Sequence, residues 1–421
     1  MAHPSQKQVH DPYASLRIRD FSIYLAARFF MTLGVQIQGV VVGIQVYKLT
    51  HSAFQLGLIG LAEAIPFIGL SFFSGYVADI IRRKKIILAS TTFLLLASWS
   101  LFFVSHNVAL LHELGAWPIF GIIFCTGIAR GFLGPVFPAF LSQLVPRKLY
   151  PNATTWQSNL WQTAAVLGPA MGGMLIGWES VIVAYGTCSS LITLSFFLMM
   201  LVTNHPLPPI EKKESLVKSL TAGFRFVFSN QVMLAAFSLD LFAVLFGGAV
   251  AMIPVFANEV LHAGKDADSI IGWLRAAPAI GAIVSGFLLA RFPPTKHAGR
   301  NLFIAVIGFG CCIIGFALSD IFLLSFIFLL ISGAFDQVSV VVRQSILQLL
   351  APDNMRGRIA AVNGIFIGSS NEIGEFESGV TAKMMGNIPS VIFGGCMTIA
   401  IVIAVMFSAP KLRNLDLAKI T

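Results

Sequence analysis

LSQLVPRKLYPNATTWQSNLWQTAAVLGPAMGG, at residues 141–173, aligns with LQLLAPDNMRGRIAAVNGIFIGSSNEIGEFESG at residues 347–379, at a constant offset of 206 residues. Few residues are identical, but Pro146 meets Pro352 and two glycines of the first stretch meet glycines of the second. The spacing is kept across two apolar segments and the loop between them. We therefore expect a chain built from two equivalent halves.

The composition excludes most classes of protein. Of the 421 residues, 56% are hydrophobic and 11% are charged, and the mean hydropathy is +0.82. Soluble domains carry about 25% charged residues, and a soluble protein could not bury this much apolar surface. The net charge of +9 is spread over short clusters between apolar runs, which fits membrane topology better than nucleic-acid binding. Soluble, secreted, nuclear and disulfide-stapled proteins are excluded.

Twelve apolar runs are long enough to span a bilayer, which takes about 20 residues per helix. The basic residues between them are distributed asymmetrically: one side holds 21 Lys and Arg, and the other holds only Lys48 and Lys265. The positive-inside rule then predicts that both termini are cytoplasmic, which requires an even number of spans. The first twenty residues are polar, so we expect the first span to act as its own uncleaved signal. The runs lie at 21–47, 54–79, 86–105, 116–144, 154–178, 180–203, 231–260, 268–291, 301–318, 321–349, 359–385 and 388–409.

The predicted fold is therefore an all-α membrane protein with two pseudo-symmetric bundles of six transmembrane helices. A hydrophilic, proline-containing stretch separates the two halves, which suits a linker. The predicted parts are a cytoplasmic tail at 1–20, a first bundle at 21–203, a cytoplasmic linker at 204–230, a second bundle at 231–409 and a cytoplasmic tail at 410–421.

Ionisable residues interrupt seven of the twelve apolar runs. Such groups are costly in a membrane and usually face a cavity or a partner. The third, fifth, sixth, ninth and twelfth runs have none in their interiors, so we expect the charged helices to surround a wet interior. The intramembrane charges are Arg28, Glu63, Arg130, Asp240, Arg275, Asp336, Arg343, Glu372, Glu375 and Glu377.

Four of these carboxylates are candidates for proton coupling. Glu63 and Asp240 come first, and Glu372 and Glu375 come next. The last two lie three residues apart on one helical face, where their like charges repel when both are ionised, which suits a proton carrier. A purely structural role in helix packing would account for the same residues.

The remaining charges are candidates for a substrate cavity. Arg28, Arg130 and Arg343 are suited to binding an anionic group such as a carboxylate or a catecholate. Asp336 lies on the same helical face as Arg343, and under the repeat it occupies the position of Arg130. Asp336 could therefore share an ion pair with Arg343 or pair with Arg130 across the halves, and either arrangement could be structural.

Three motifs resemble those of the major facilitator superfamily. GYVADIIRRKK at 75–85 is similar to the loop motif of that superfamily, in which the aspartate latches the two halves. A basic loop that merely obeys topology is the alternative. ARGFLG at 129–134 is similar to the proton-coupling motif of the fourth span, and LGPAMGG at 167–173 to the antiporter motif of the fifth. The matching residues are Gly75, Asp79, Arg83, Lys84, Arg130, Gly168, Pro169, Gly172 and Gly173.

Three stretches of the second half narrow the resemblance to one branch of that superfamily. SLDLFAVLFGGAVAMIPVFANEVL at 238–261, LRAAPAIGA at 274–282 and VNGIFIGSSNEIGEFESG at 362–379 resemble the bacterial branch that includes the enterobactin exporter. The resemblance covers nearly the whole chain. It implies a monomeric antiporter in the bacterial inner membrane, in which inward proton flow drives export of an amphipathic small molecule of the siderophore or drug type.

Other functions stay open at this point. A passive facilitator or channel, or an importer with the same fold, would have the same sequence pattern. A membrane-embedded enzyme is not expected, since no His, Asp and Cys residues cluster as a nucleophilic site would require. The five cysteines lie inside apolar runs without ligand spacing, so no metal or other cofactor is predicted.

Overall fold

The computed structural model describes residues 11, 13–204, 216–292, 294, 296–352 and 355–417. Twelve helical segments of span length run through these ranges. The first six are α1 (Arg19–Thr50), α2 (Ala53–Ile80), α3 (Arg83–His106), α4 (Trp117–Leu144), α5 (Tyr150–Trp178) and α6 (Val181–Leu201). The second six are α7 (Gln231–Phe246, continued by Ala249–Val255 and a π-turn at Phe256–Val260), α8 (Ala267–Arg291), α9 (Ala298–Ala317), α10 (Phe322–Leu350), α11 (Arg356–Met385) and α12 (Asn387–Ser408).

These helices confirm the predicted fold class. Ten of the segments in the described ranges are apolar enough to cross a membrane by length and composition alone. The other two, α5 and α11, have 29 and 30 residues, which is ample to span a bilayer. The polarity of α11 comes in part from Glu372, Glu375 and Glu377, and the first two of these are candidates for proton coupling.

Two ends of the molecule are distinguished by their chemistry. We call the end at which α1 begins and α12 ends the basic end, since the basic clusters of the connections lie there, and we call the other the opposite end. Polar residues begin several helices: the side chain of Ser52 accepts a hydrogen bond from the backbone N–H of Gln55, and that of Ser180 from Val183. These N-caps satisfy backbone donors that have no partner within the helix.

The packing of the helices follows the sequence repeat. In the first half α2 packs on α4, α3 on α4 and α6, and α1 on α5 and α6. In the second half α8 packs on α10, α9 on α10 and α12, and α7 on α11 and α12. Between the halves the main contacts are α2 with α11 and α5 with α8. Adding six to each helix number turns the first set of pairs into the second, as a pseudo-two-fold arrangement requires.

Glycines permit close backbone contact at both interfaces between the halves. A Cβ atom on Gly57 would lie 2.9 Å from the Cα atom of Gly379, where α2 meets α11. Likewise, a Cβ atom on Gly173 would lie 2.7 Å from the Cα atom of Gly272, where α5 meets α8. Gly173 and Gly379 are equivalent under the repeat. Each half therefore supplies the same glycine to the matching interface, as close packing of membrane helices favours.

Three clusters of buried apolar side chains hold the molecule together. One joins residues of both halves and lies toward the opposite end. A second contains only residues of the first half, and a third only residues of the second half, and both lie toward the basic end. The halves therefore share a core at one end and have separate cores at the other.

The structure differs from the sequence-based expectation in α7. The apolar run at 231–260 predicts one uninterrupted helix, but the helix stops at Phe246, and Gly247 and Gly248 interrupt it. Glycine weakens a helix interior, and two in succession weaken it further. Hydropathy does not register such a break, because glycine does not make the run polar.

Candidate functional site

An ion-paired cluster joins the two halves near the middle of the helices. The guanidinium of Arg130 on α4 pairs with the carboxylate of Glu63 on α2, and it lies 3.0 Å from a carboxylate oxygen of Glu372 on α11. Both glutamates are largely buried, with 15% and 10% of their side-chain surface exposed. One arginine, itself 38% exposed, thus holds a largely buried carboxylate from each half, so separating α2 and α4 from α11 leaves the carboxylate of Glu372 without its partner.

Small residues bring these three helices together. A Cβ atom on Gly127, one turn before Arg130, would lie 2.7 Å from the Cγ atom of Pro66 on α2. A Cβ atom on Gly60 would lie 2.7 Å from the Cβ atom of Glu375 on α11. Since glycine occupies both positions, α2 can approach α4 and α11 closely enough for the charged groups to meet. Glu375 therefore lies beside the same interface as Glu372.

A second ion pair lies wholly within the second half. Arg343 on α10 pairs with Asp240 on α7, and only 5% of each side chain is exposed. The Nε of Arg343 also donates a hydrogen bond to the Oγ of Ser339 at 3.3 Å. Asp336 lines the same small crevice as Asp240 and Ser339. The structure thus places Asp336 and Arg343 in one polar region, while Arg130 pairs across the halves with Glu372 and not with Asp336.

Arg28 differs from these two arginines. Its Cζ atom lies 3.7 Å from the ring centroid of Phe137, so the guanidinium of α1 contacts an aromatic side chain of α4. The hydroxyl of Tyr24, one turn earlier, donates a hydrogen bond to the backbone oxygen of Phe137 at 3.2 Å, which fixes the two helices at this point. Within the described ranges no carboxylate forms an ion pair with Arg28. Arg28 thus differs from Arg130 and Arg343, whose guanidinium groups are paired with carboxylates.

Arg275 on α8 contacts α1 of the other half. No role is assigned to it from the sequence. Its Nη1 donates a hydrogen bond to the backbone oxygen of Gly39 on α1 at 3.3 Å, while its buried Nε has no hydrogen-bond partner. A Cβ atom on Gly43 would lie 3.3 Å from Nη2 of the same guanidinium, so glycine at position 43 makes room for it. The site thus includes a second arginine at the boundary between the halves.

Polar side chains also join the halves at the opposite end. The Nζ of Lys48 lies 2.5 Å from a carboxylate oxygen of Asp268, and the hydroxyl of Tyr47 donates to Glu259 at 2.6 Å. The side chain of Asn387 donates to the other oxygen of Glu259, also at 2.6 Å. We call these five residues the polar latch. Sequence reasoning missed them, because polar residues at the ends of spans are ordinary and nothing in the sequence pairs residues 128 to 220 positions apart.

The loop-motif residues lie at the basic end of the first half. Arg83 donates a hydrogen bond from Nη1 to the backbone oxygen of Ala139 at 2.7 Å. Lys84 donates to the backbone oxygens of Met200 and Val202 at 2.9 and 2.5 Å. The two basic residues thus attach the start of α3 to the ends of α4 and α6. The surroundings of Gly75 and the side chain of Asp79 lie outside the described part of the structure, so a latching role for Asp79 stays a prediction.

The glycine–proline motif lies where α5 meets both α1 and α8. Gly168 packs against Gln36 of α1, and a Cβ atom on Gly172 would lie 3.3 Å from the backbone oxygen of Ile37 on the same helix. Gly173, on the face toward α8, is the interface glycine already described, and Pro169 lies inside the helix. The small residues of the motif therefore let one helix contact two others, one in each half.

The family model described as "Transmembrane secretion effector" matches residues 10–420 of the chain. This chain belongs to the major facilitator superfamily. Similar curated proteins include the enterobactin exporter EntS of Citrobacter koseri, 26% identical over 410 residues, which cover 94% of this chain and 92% of that protein. EntS of Escherichia coli strain K12 is 25% identical over 409 residues, with the same coverage.

Solved structures agree on the fold of this major facilitator protein. A bacterial homologue of the lysosomal transporter Spinster, in an inward-facing and unoccupied conformation, superposes with a TM-score of 0.71 at 15% identity, covering 96% of this chain and 98% of that one. A D-xylose–proton symporter superposes with a TM-score of 0.70 at 15% identity, covering 96% and 99%. At such low identity the likeness shows the fold alone.

Membership of the superfamily confirms several expectations drawn from the sequence. The protein is a multi-pass membrane transporter of the major facilitator type and not an enzyme. The resemblance to the branch of the enterobactin exporter is confirmed by the relatives. The contacts of the charged residues described above are the basis for the roles proposed for them below.

Proposed function

We propose that this transporter exports an amphipathic, anionic small molecule of the siderophore or drug type in exchange for protons. It does so as a monomer in the bacterial inner membrane, with both termini in the cytoplasm. One observation carries the proposal above the others: Arg130 holds one buried carboxylate from each half. Because Arg130 contacts Glu372 across the two halves, protonation of that glutamate would change the contact between the halves.

Alternating access is supported by the distribution of the cores. The halves share apolar packing and the polar latch toward the opposite end, and they have separate cores toward the basic end. Two rigid bodies with this arrangement can rock about the membrane centre, because each keeps its own core while the shared contacts break. The contacts at the opposite end fit a state that is closed on that side.

Proton coupling follows from the competition for Arg130. When both carboxylates are ionised, Glu63 and Glu372 share one guanidinium, and Glu375 adds a third carboxylate at the same interface. Neutralising Glu372 with a proton removes its attraction to Arg130, which then pairs with Glu63 alone and leaves α11 free to move. Asp240 can act in the same way within the second half, where Arg343 is its partner.

Arg28 is the substrate residue that the geometry favours. Arg130 and Arg343 are occupied by carboxylates, whereas Arg28 contacts the ring of Phe137. A guanidinium lying on an aromatic ring offers a cationic and an apolar surface together, which suits an aromatic acid. The relatives are named as exporters of enterobactin, and a siderophore of this kind is therefore the first candidate substrate.

The experiment that tests the proposal compares small molecules inside and outside cells with and without the gene, under iron starvation and iron repletion, by untargeted mass spectrometry. We expect a chelator to accumulate in the cytoplasm only without the gene and only when iron is scarce. A compound retained regardless of iron would point to drug or metabolite export. A compound depleted from the cytoplasm without the gene would show import.

A passive facilitator is the second candidate. It is favoured by the pairing of Arg130 and Arg343 with carboxylates, since ion pairs between helices also serve purely structural roles. Reconstitution in liposomes separates the two candidates. An antiporter moves its substrate uphill when a pH gradient is imposed, whereas a facilitator only equalises the concentrations on the two sides.

A further inference from the structure

A cavity of about 610 Å³ lies at the basic end, away from the interface between the halves. Its walls are the first turns of α9, the last turns of α12 and the segment that follows α12, which includes the short helix Pro410–Arg413. The helices α9 and α12 carry no ionisable residue in their interiors. The cavity is therefore separate from the charged helices that we assign to transport.

The wall formed by the C-terminal segment is fixed in place. The backbone N–H of Gly299 donates a hydrogen bond to the backbone oxygen of Leu415 at 3.2 Å. The backbone oxygen of Leu412 lies so close to Gly299 that no Cβ atom would fit there, and the side chain of Leu412 is fully buried. This contact places Arg413 next to the first turn of α9, on which Arg300 lies.

The mouth of the cavity is cationic. His297, Arg300 and Arg413 line it, and all three are exposed. In the ranges that the structure describes, none of the three forms an ion pair with a carboxylate. Asp416 follows the segment but does not line the cavity. Two guanidinium groups beside each other repel, and an anion with several oxygens, such as a phosphate, removes that repulsion and accepts hydrogen bonds from both.

The deeper part of the cavity is apolar. Phe303, Ile304, Ile307 and Met406 form it. Ile307 lies seven residues beyond Arg300, which is about 10 Å further along the helix axis at 1.5 Å per residue. The cavity therefore changes from cationic to apolar along the direction in which α9 enters the membrane. A phospholipid matches this order, because its anionic phosphate would face the cationic mouth and its acyl chains the apolar walls.

We propose that this cavity binds an anionic phospholipid, with its phosphate between Arg300 and Arg413 and an acyl chain along α9 and α12. Basic pockets at the ends of membrane helices are suited to such headgroups. The bound lipid bridges α9, α12 and the C-terminal segment and stabilises the second half. This site is independent of the transported substrate and of the direction of transport.

The test uses the full-length protein, purified in detergent, and native mass spectrometry with phosphatidylglycerol or phosphatidylethanolamine added. We expect the wild-type protein to retain phosphatidylglycerol in preference. The double variant Arg300→Ala/Arg413→Ala should bind it at least tenfold more weakly. The matched control is Arg147→Ala/Lys148→Ala, which removes the same charge from the exposed basic end of the first half and should leave binding unchanged.

Two further arms decide between explanations. The variant Arg300→Lys/Arg413→Lys keeps the charge and should retain most of the binding. A single sharp peak of the alanine variant in size-exclusion chromatography, at the wild-type volume, would show that its loss of binding is not a failure to fold. Equal loss in the control double variant would mean general attraction to a basic surface and would overturn the proposal. Binding of glycerol 3-phosphate as tight as that of the lipid would show a site for soluble phosphates, which would overturn it as well.

Discussion

Lys48, at the end of α1, lies with its ammonium group 2.5 Å from a carboxylate oxygen of Asp268, in the first turn of α8. The pair joins the two halves of the transporter at the end where they share an apolar core. Lys48 is half-exposed and Asp268 is 12% exposed. An ion pair of this kind contributes up to about 1 kcal/mol, which is small for folding but large for an equilibrium between two conformations.

Replacing Lys48 by Ala should shift the transporter toward states open at the opposite end. A loss of about 1 kcal/mol corresponds to a roughly fivefold change in population. One spin label is placed near the last turn of α1 and another near the first turn of α8, both at the opposite end of the molecule. The distance between them, measured by pulsed electron spin resonance, reports that shift. Lys265→Ala is the matched control, since Lys265 is a basic residue of the same end and is exposed.

Exchanging the two charges gives a sharper test of the same pair. Lys48→Asp alone places two carboxylates together and should open the end further than Lys48→Ala does. Adding Asp268→Lys should restore the wild-type distances. If the double variant stays as open as the single one, the contact between Lys48 and Asp268 does not hold the end closed.

Glu372→Gln should uncouple transport from the pH gradient. The variant leaves Arg130 paired with Glu63 and removes the charge that attaches α11, so contact between the halves no longer depends on a proton. We expect uphill transport in liposomes to fall at least tenfold and exchange down a substrate gradient to persist. Glu377→Gln, on the same helix, is the control, and an equal loss in it would argue against a specific role for Glu372.

Asp240→Asn should abolish uphill transport and spare downhill exchange. Asparagine keeps the shape of the side chain but cannot release a proton. The variant also leaves Arg343 buried without its partner, which costs about 3–5 kcal/mol, so thermal unfolding must be measured in parallel. The double variant Asp240→Asn/Arg343→Gln removes the uncompensated charge and should recover stability without recovering coupling. Normal uphill transport by Asp240→Asn would remove this residue from the mechanism.

Arg28→Gln should weaken the binding of an anionic substrate and leave both ion-paired clusters intact. A desolvated cation on an aromatic ring contributes about 2 kcal/mol, and a charge-assisted hydrogen bond adds to that. With enterobactin as the test ligand, we expect the Kd from tryptophan fluorescence to rise at least tenfold. Arg28→Lys keeps the charge but not the planar guanidinium group, so its Kd should lie between those of the wild-type protein and Arg28→Gln. An unchanged Kd in Arg28→Gln would place the anion elsewhere.

The sequence predicts the helices well, because a run of about 20 apolar residues has few alternatives to a membrane span. The predicted run at 54–79 becomes α2 at Ala53–Ile80, and that at 388–409 becomes α12 at Asn387–Ser408. The break in α7 escapes prediction, since the run at 231–260 stays strongly apolar although it contains Gly247 and Gly248.

The sequence also identifies which residues carry charge inside the membrane, but not which of them meet. Arg130 pairs with Glu63 and Glu372 because of how three helices are rotated and how closely glycines let them approach. Rotation and approach depend on packing across the whole molecule. The repeat suggested Asp336 as the partner of Arg130 by position alone, and position within a helix does not determine distance between helices.

The separate apolar clusters at the basic end have a consequence for how the chain is assembled. The first of them uses only residues from 16 to 202, so every side chain in it has been synthesised before α7 begins. The other uses only residues from 224 to 417. Each half can therefore pack as it enters the bilayer, and the shared cluster closes last. A gene cut between α6 and α7 should accordingly give two polypeptides that insert independently and associate into an active transporter.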